Sequence, residues 1–165
     1  ILNITAALAI AEYLGVSVDA CRRAVKQIEQ VEHRLSMRSS GGITILDDAY
    51  NSNPTGARMA LEVLHDFATE GKKYVVTPGF VEMGAKQYDN NRLFGSDIAH
   101  ANPDGVFVVN EVNRVAITTG LSEGGYDSAK VATVASFQEA MAALQPQLKA
   151  GDVVLYENDL PDSFK

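Results

Sequence analysis

Four short runs of this chain combine carboxylates and amides with glycine or proline in a way that suits ligand chemistry. They are Asp47-Asp48-Ala49-Tyr50-Asn51-Ser52-Asn53-Pro54, Pro78-Gly79-Phe80-Val81-Glu82-Met83-Gly84, Asn110-Glu111-Val112-Asn113-Arg114 and Glu157-Asn158-Asp159-Leu160-Pro161-Asp162. Adjacent aspartates at the end of a strand point to opposite faces, so one can meet a ligand while the other holds loop backbone. Asn51 and Asn53 suit left-handed backbone or a helix cap. The same residues also describe a plain capped turn with a solvated carboxylate, and local chemistry leaves both readings open. The acidic run from Glu157 likewise fits a solvated exit from a strand.

Other chemistries are poorly served. No G-x-x-x-x-G-K-[ST] loop occurs and no G-x-G-x-x-G follows a strand, so the usual backbone cradle for a nucleotide's phosphates is missing. His33, His65 and His100 are scattered and read as helix-surface residues. Cys21 lies on an apolar helical stripe, which suits a small hydrophobe better than a reactive thiol. As the sole cysteine it has no disulfide partner in the chain, and no Cys/His group has zinc-ligand spacing.

Composition narrows the class further. Hydrophobic residues make up 46% and charged residues 21%, the balance of an ordinary globular protein. A net charge of −7 argues against nucleic acid as the main partner, because phosphate contacts need clustered Lys and Arg. No apolar run approaches the roughly 20 residues of a membrane helix. No charged-then-apolar leader precedes the first helix, so the expected location is the cytoplasm, without a membrane partner.

The elements that must carry these runs follow from hydrophobic spacing. Residues 1–14 read as a helix with Ile4, Ala7, Leu8 and Ala11 on one face, ended by Gly15. Ser17 caps a second helix bearing Val18, Cys21, Val25 and Ile28. Two such helices cannot bury both apolar faces well, and are read as the end of a neighbouring domain. Segment 36–42, SMRSSGG, is small and polar like a linker. Apolar runs then fall at 43–46, 74–77, 106–109, 131–134 and 153–156, rich in Val and Ile as strands buried on both faces are. Helical stretches separate them. One starts at Asn53-Pro54 with Ala57, Ala60, Leu61 and Leu64 buried and Gly71 as its stop. Others cover about 87–101 and 112–121. The last opens on the capping box Ser136-x-x-Glu139, carries Phe137, Ala140, Met141 and Leu144 on one face, and ends near Pro146. Alternating strands and helices predict an α/β fold. It is a Rossmann-like doubly wound, mostly parallel sheet with flanking helices, preceded by two helices from a neighbouring domain. The expected domains are 1–36 and 37–165. In such a sheet, ligands bind beyond the carboxyl ends of the strands, where the four runs lie.

These residues carry a family resemblance. Asn3-x-x-Ala6-Ala7-Leu8-Ala9-Ile10-Ala11, Gly15, Arg34 and Leu46-Asp47-Asp48-Ala49-Tyr50-Asn51-x-Asn53-Pro54 resemble, in order and spacing, the junction between the central and C-terminal domains of the Mur ligases. The D-D-x-Y-N-x-N-P string most resembles the group that adds D-alanyl-D-alanine to the UDP-N-acetylmuramoyl tripeptide. Val81-Glu82-Met83-Gly84 is similar to that group's M-x-E-L-G loop. Two departures leave the amine substrate open. Thr77-Pro78-Gly79 stands in place of a G-D-M entry, and Glu157-Asn158-Asp159 in place of K-G-S-R.

The resemblance implies an ATP-dependent ligase of peptidoglycan precursor synthesis. ATP phosphorylates a substrate carboxylate, and an amine attacks the acyl phosphate to form an amide, the barrier falling by positioning and charge neutralisation. It implies ATP and Mg2+ as cofactors, held mainly by a central domain outside this chain. It also implies a UDP-N-acetylmuramoyl peptide and an amino acid or dipeptide as partners. Asn3 would meet the adenine, Arg34 the phosphates and Asp48 the ribose hydroxyls, with Asn53 in the same nucleotide-side string. For the amine substrate, position beyond the strand ends and chemical type select Asn110, Asn113, Arg114 and Asn158. No catalytic residue and no metal ligand is assigned to this chain, which alone is expected not to catalyse. Two alternatives stand beside this reading: a related ligase with an amidating, polyglutamate or cyanophycin-type acceptor, and a non-catalytic α/β binding module.

Overall fold

The computed structural model describes residues 2–29, 31–50 and 52–160; Asn51, Pro161 and Asp162 of the sequence runs lie outside them. The chain divides into two compact units, Ile1–Val31 and Glu32–Lys165.

The first unit holds α1 (Leu2–Tyr13) and α2 (Val18–Lys26). Ser17 caps α2, its hydroxyl accepting the Ala20 N–H at 3.3 Å. No residue of α2 is buried, and Ile10, Leu14, Val18 and Ile28 are exposed. Two short helices do leave apolar surface uncovered, as their patterning predicts.

The second unit is built on a six-stranded sheet: β1 (Ser36–Ser40), β2 (Ile43–Asp48), β3 (Lys73–Thr77), β4 (Gly105–Val109), β5 (Val131–Val134) and β6 (Val153–Glu157). Its spatial order is β1-β2-β6-β3-β4-β5. All neighbours are parallel except β1, which pairs antiparallel with β2. The five parallel strands are the five apolar runs.

Segment 36–42 corrects the linker reading. Ser36 to Ser40 form an edge strand, and Gly41 and Gly42, with φ of 60° and 81°, make the two-residue turn into β2. Both central residues of such a turn need positive φ, which glycine adopts without steric cost. The strand is polar because it lies at the exposed edge, where no core demands an apolar side chain.

The helices of this unit are α3 (Pro54–Asp66), α4 (Gln87–Ala101), α5 (Arg114–Glu123) and α6 (Phe137–Leu144). α3 buries Ala57, Ala60, Leu61 and Leu64 as its spacing predicts, but stops at Asp66, short of Gly71. Its cap is Asn53, whose Oδ1 accepts the Gly56 N–H. One face of the sheet, with Leu46, Val75, Val106, Val108, Val153 and Leu155, packs with buried residues of α3, α4 and α5. The other face, with Val76, Phe107, Val109, Val154 and Tyr156, meets Ala140 and Leu144 of α6. One helix covers less sheet than three, and this asymmetry leaves the opening described next.

Candidate functional site

Strands β4 and β5 send their chains to opposite faces, into α5 and α6. That switch makes a crevice at their carboxyl ends. A cleft of about 830 Å3 opens there, running along the α6 side of the sheet. Its size suits a small organic ligand. Ile45, Val76, Val109, Met141 and Tyr156 supply apolar wall. His33, Arg38, Asp47, Asn110, Ser136 and Asn158 supply the polar groups. Phe137, exposed at the rim, stands edge-on to Tyr156 with ring centroids 5.4 Å apart.

The two aspartates point to opposite faces, as strand geometry requires. Asp47 lies on the cleft side and is only 5% exposed. It meets His33 Nδ1 at 3.0 Å and Arg38 at 3.6 Å. Asp48 lies on the side of Leu46, toward α3–α5. It accepts the Leu35 N–H at 2.8 Å. Burial pushes its carboxyl upward; the Leu35 N–H and nearby Arg34 hold it back. Arg34 lies beside it, its guanidinium 4.8 Å from the centre of the Tyr50 ring. The Tyr50 N–H donates to the His33 carbonyl, so residues 33–35 are stitched along the end of β2. His33 is therefore a loop residue bound to a buried carboxylate, not a helix-surface histidine.

Of the nucleotide-side candidates, Arg34 and Asp48 are neighbours. Asn53 serves as the helix cap, and Asn3 is exposed on α1 in the other unit. The amine-side candidates divide. Asn110 and Asn158 line the cleft. Asn110 holds its own turn with Oδ1 accepting from the Glu111 and Val112 N–H groups. Asn158, at φ 66°, accepts the Ser52 N–H and donates to the Gly79 carbonyl, tying the loops after β2, β3 and β6 together. Asn113 is instead an internal strut, 3% exposed, donating to the carbonyls of Pro78 and Phe80 and accepting from Gln87. Arg114 pairs with Glu111 at 3.1 Å, and its Nε meets no acceptor among the described residues.

Three residues central to this architecture have roles that differ from their sequence reading or have none in it. Besides His33, they are Asn91 and Glu157. Asn91 is fully buried and bonds the Phe80 N–H and carbonyl like a strand partner. Glu157 is fully buried rather than a solvated exit, with the Ser52 hydroxyl donating to its Oε1. Its position at the very end of an apolar run was the available signal.

Among the described residues no helix is long and apolar enough to cross a membrane. Nor do three or more His, Cys, Asp or Glu side chains among them gather as a metal ion would require.

Sheet, switch-point crevice and polar strand ends define a doubly wound α/β domain with an open cleft. The chain belongs to the Mur ligase family: residues 33–156 match its domain described as "Mur ligase, glutamate ligase domain". It is 22% identical over 158 residues to the UDP-N-acetylmuramoyl-tripeptide–D-alanyl-D-alanine ligase of Bacillus subtilis, covering 95% of this chain and 34% of that protein. It is 27% identical over 165 residues to the UDP-N-acetylmuramate–L-alanine ligase of Desulforapulum autotrophicum, covering 94% of this chain and 35% of that one. Among solved structures, the MurF ligase of Thermotoga maritima in complex with ADP superposes with a TM-score of 0.78 at 28% identity. That match covers 96% of this chain and 34% of the ligase. The chain thus spans about a third of the length of the relatives it matches.

Proposed function

We propose that this chain is the C-terminal part of an ATP-dependent amide ligase of peptidoglycan precursor synthesis, and that its cleft holds the amine substrate. ATP would phosphorylate the carboxyl end of a UDP-N-acetylmuramoyl peptide, and the amine in the cleft would attack the acyl phosphate. The two units divide the work in this reading: the helices before about residue 32 would belong with the ATP-binding part, and the second unit would present the amine.

The observation that carries this reading is the opposed pair of aspartates. The sheet itself separates two environments. Asp48 and Arg34 lie on one side, suited to ribose hydroxyls and phosphate, with Asn3 of α1 proposed for the adenine. The cleft lies on the other side. An amino acid or dipeptide is zwitterionic. Arg38 and His33 suit its carboxylate, Asn110 and Asn158 its amide, and Phe137, Tyr156 and Met141 its apolar parts. The ADP-bound relative from Thermotoga maritima supports nucleotide use. Asn113 and Arg114 retain a supporting place, through the loop after β3 and the turn after β4.

Arg38→Ala tests the cleft. In the complete ligase it should raise KM for the amine about ten-fold, as loss of a charge-assisted hydrogen bond of roughly 1.5–3 kcal/mol implies. KM for ATP should move less than about two-fold. An ATP effect equal to the amine effect would place Arg38 elsewhere.

The departures at Thr77-Pro78-Gly79 and Glu157-Asn158-Asp159 favour keeping a second acceptor class in view. Relatives with different printed amines resemble this chain to a similar degree. Assaying D-alanyl-D-alanine, L-alanine and glutamate as acceptors separates these. A binding module without catalysis would turn over ATP with none of them.

A further inference from the structure

Glu157 and Asp48 are register partners at the ends of adjacent parallel strands, on the same face of the sheet. Their carboxyl groups therefore project side by side, and each acts on the other's ionisation. Glu157 is fully buried; its Oε1 accepts from Ser52, and its Oε2 meets no N–H or O–H donor among the described residues. Two carboxylates side by side, one fully buried and the other half-buried, repel unless one carries a proton. The arrangement says which one. Asp48 already accepts the Leu35 N–H and lies near Arg34, both favouring its charge, whereas Glu157 has one neutral hydroxyl.

We infer that Glu157 is a positioning residue: as a neutral acid it donates through Oε2 to Asp48, holding that carboxylate ionised and oriented for the ribose hydroxyls. The inference rests on the proposed ribose contact of Asp48. It adds a residue that touches no nucleotide itself and acts through its neighbour.

The surroundings agree. Glu157 faces Asp48 from β2, the Ser52 hydroxyl from the loop before α3, and the neutral Thr77 level with it on β3. From α3, Ala57, Ala60 and Leu61 share this core. The charges acting on Asp48 are Asp47, which opposes its ionisation, and Arg34, which favours it. Burial, reinforced by the Asp48 charge and opposed by the Ser52 hydroxyl, raises Glu157 from its ordinary 4.5 to about 8. A value raised in the folded state means the protonated pair's contribution is complete below about pH 4.5 and is lost as pH rises through about 8. Past that point two charges share one buried site and Asp48 loses its clamp.

The test uses the complete ligase and its E157Q, E157A and D48N variants. Infrared difference spectra between pH 6 and 9.5 read the carboxylic acid, and KM for ATP is measured over the same range. The inference expects an acid carbonyl band at pH 7 that E157Q removes. Wild-type KM should rise about five-fold between pH 7 and 9.5. E157A should show a comparable rise already at pH 7. E157Q, whose amide still donates to Asp48 and accepts from Ser52, should recover most of that loss and stay flat with pH, even if E157A fails to fold. Absence of the acid band, or an alkaline rise in E157Q equal to wild type, overturns the inference. If D48N leaves KM for ATP unchanged while the acid band persists, the ribose reading fails, and Glu157 is left a fold element with no positioning role.

Discussion

Gly120→Ala should cost on the order of 3 kcal/mol of unfolding free energy, although alanine is the better helix former by about 1 kcal/mol. A Cβ on Gly120 would come 1.8 Å from the Arg92 carbonyl oxygen and 2.9 Å from the Ser96 nitrogen, both backbone atoms of α4. Backbone cannot turn aside as a long side chain can. The helices must part, loosening the packing of Phe94, Ile98, Ile117 and Leu121. Gly95 makes the reciprocal approach, its Cβ position lying 2.2 Å from the Ile117 carbonyl oxygen. Gly56 in α3 gives the opposite sign. A Cβ there meets only the Asn53 side chain, at an ordinary 3.5 Å, so Gly56→Ala should be neutral or stabilise by up to about 1 kcal/mol. Denaturant melts of both variants check the pair. Equal effects would mean that the α4–α5 crossing is not this close.

Asp48→Asn should raise KM for ATP ten-fold or more in the complete ligase. The substitution keeps shape and removes charge. A hydrogen bond to a charged acceptor contributes roughly 1.5–3 kcal/mol, and ribose offers two hydroxyls. The fold should survive, because the amide oxygen can still accept the Leu35 N–H. Asparagine also removes one carboxylate from beside Glu157, which relieves rather than strains the buried pair. A melting temperature unchanged or raised, with KM for ATP elevated, therefore marks a nucleotide contact. A lowered melting temperature with unchanged KM would reduce Asp48 to a turn carboxylate.

Strands and helix caps were legible because their causes are local. Val- and Ile-rich runs such as 106–109 need both faces buried, and Ser17, Asn53 and Ser136 each satisfy helix N–H groups a few residues away. The polar composition of β1 hides a strand that only the two glycines of its Gly41-Gly42 turn signal, as a hairpin. The site was legible only in part, because its burial is created by distant chain. Glu157 is covered by a hydroxyl 105 residues away and an aspartate on a neighbouring strand. Asn91 looks like a solvent-facing helix amide and Asn113 like a contact for the amine until the loop at Pro78 to Phe80 takes up both side chains. His33 becomes a partner of Asp47 through the turn that returns the chain along β2. In each case the sequence shows the residue type, while the partner depends on which strands become neighbours.

The central claim is that this domain serves a ligase that activates a carboxylate as an acyl phosphate and presents an amine to it. The most direct measurement follows an oxygen atom. The complete ligase is given ATP, an amine acceptor and a UDP-N-acetylmuramoyl peptide whose terminal carboxylate carries heavy oxygen, and the released phosphate is weighed by mass spectrometry. Attack of the carboxylate on the terminal phosphate leaves one labelled oxygen bridging carbon and phosphorus, and amide formation expels it with the phosphate. The account predicts ADP together with phosphate carrying one heavy oxygen per amide formed. Unlabelled phosphate, or AMP and pyrophosphate as products, would contradict it.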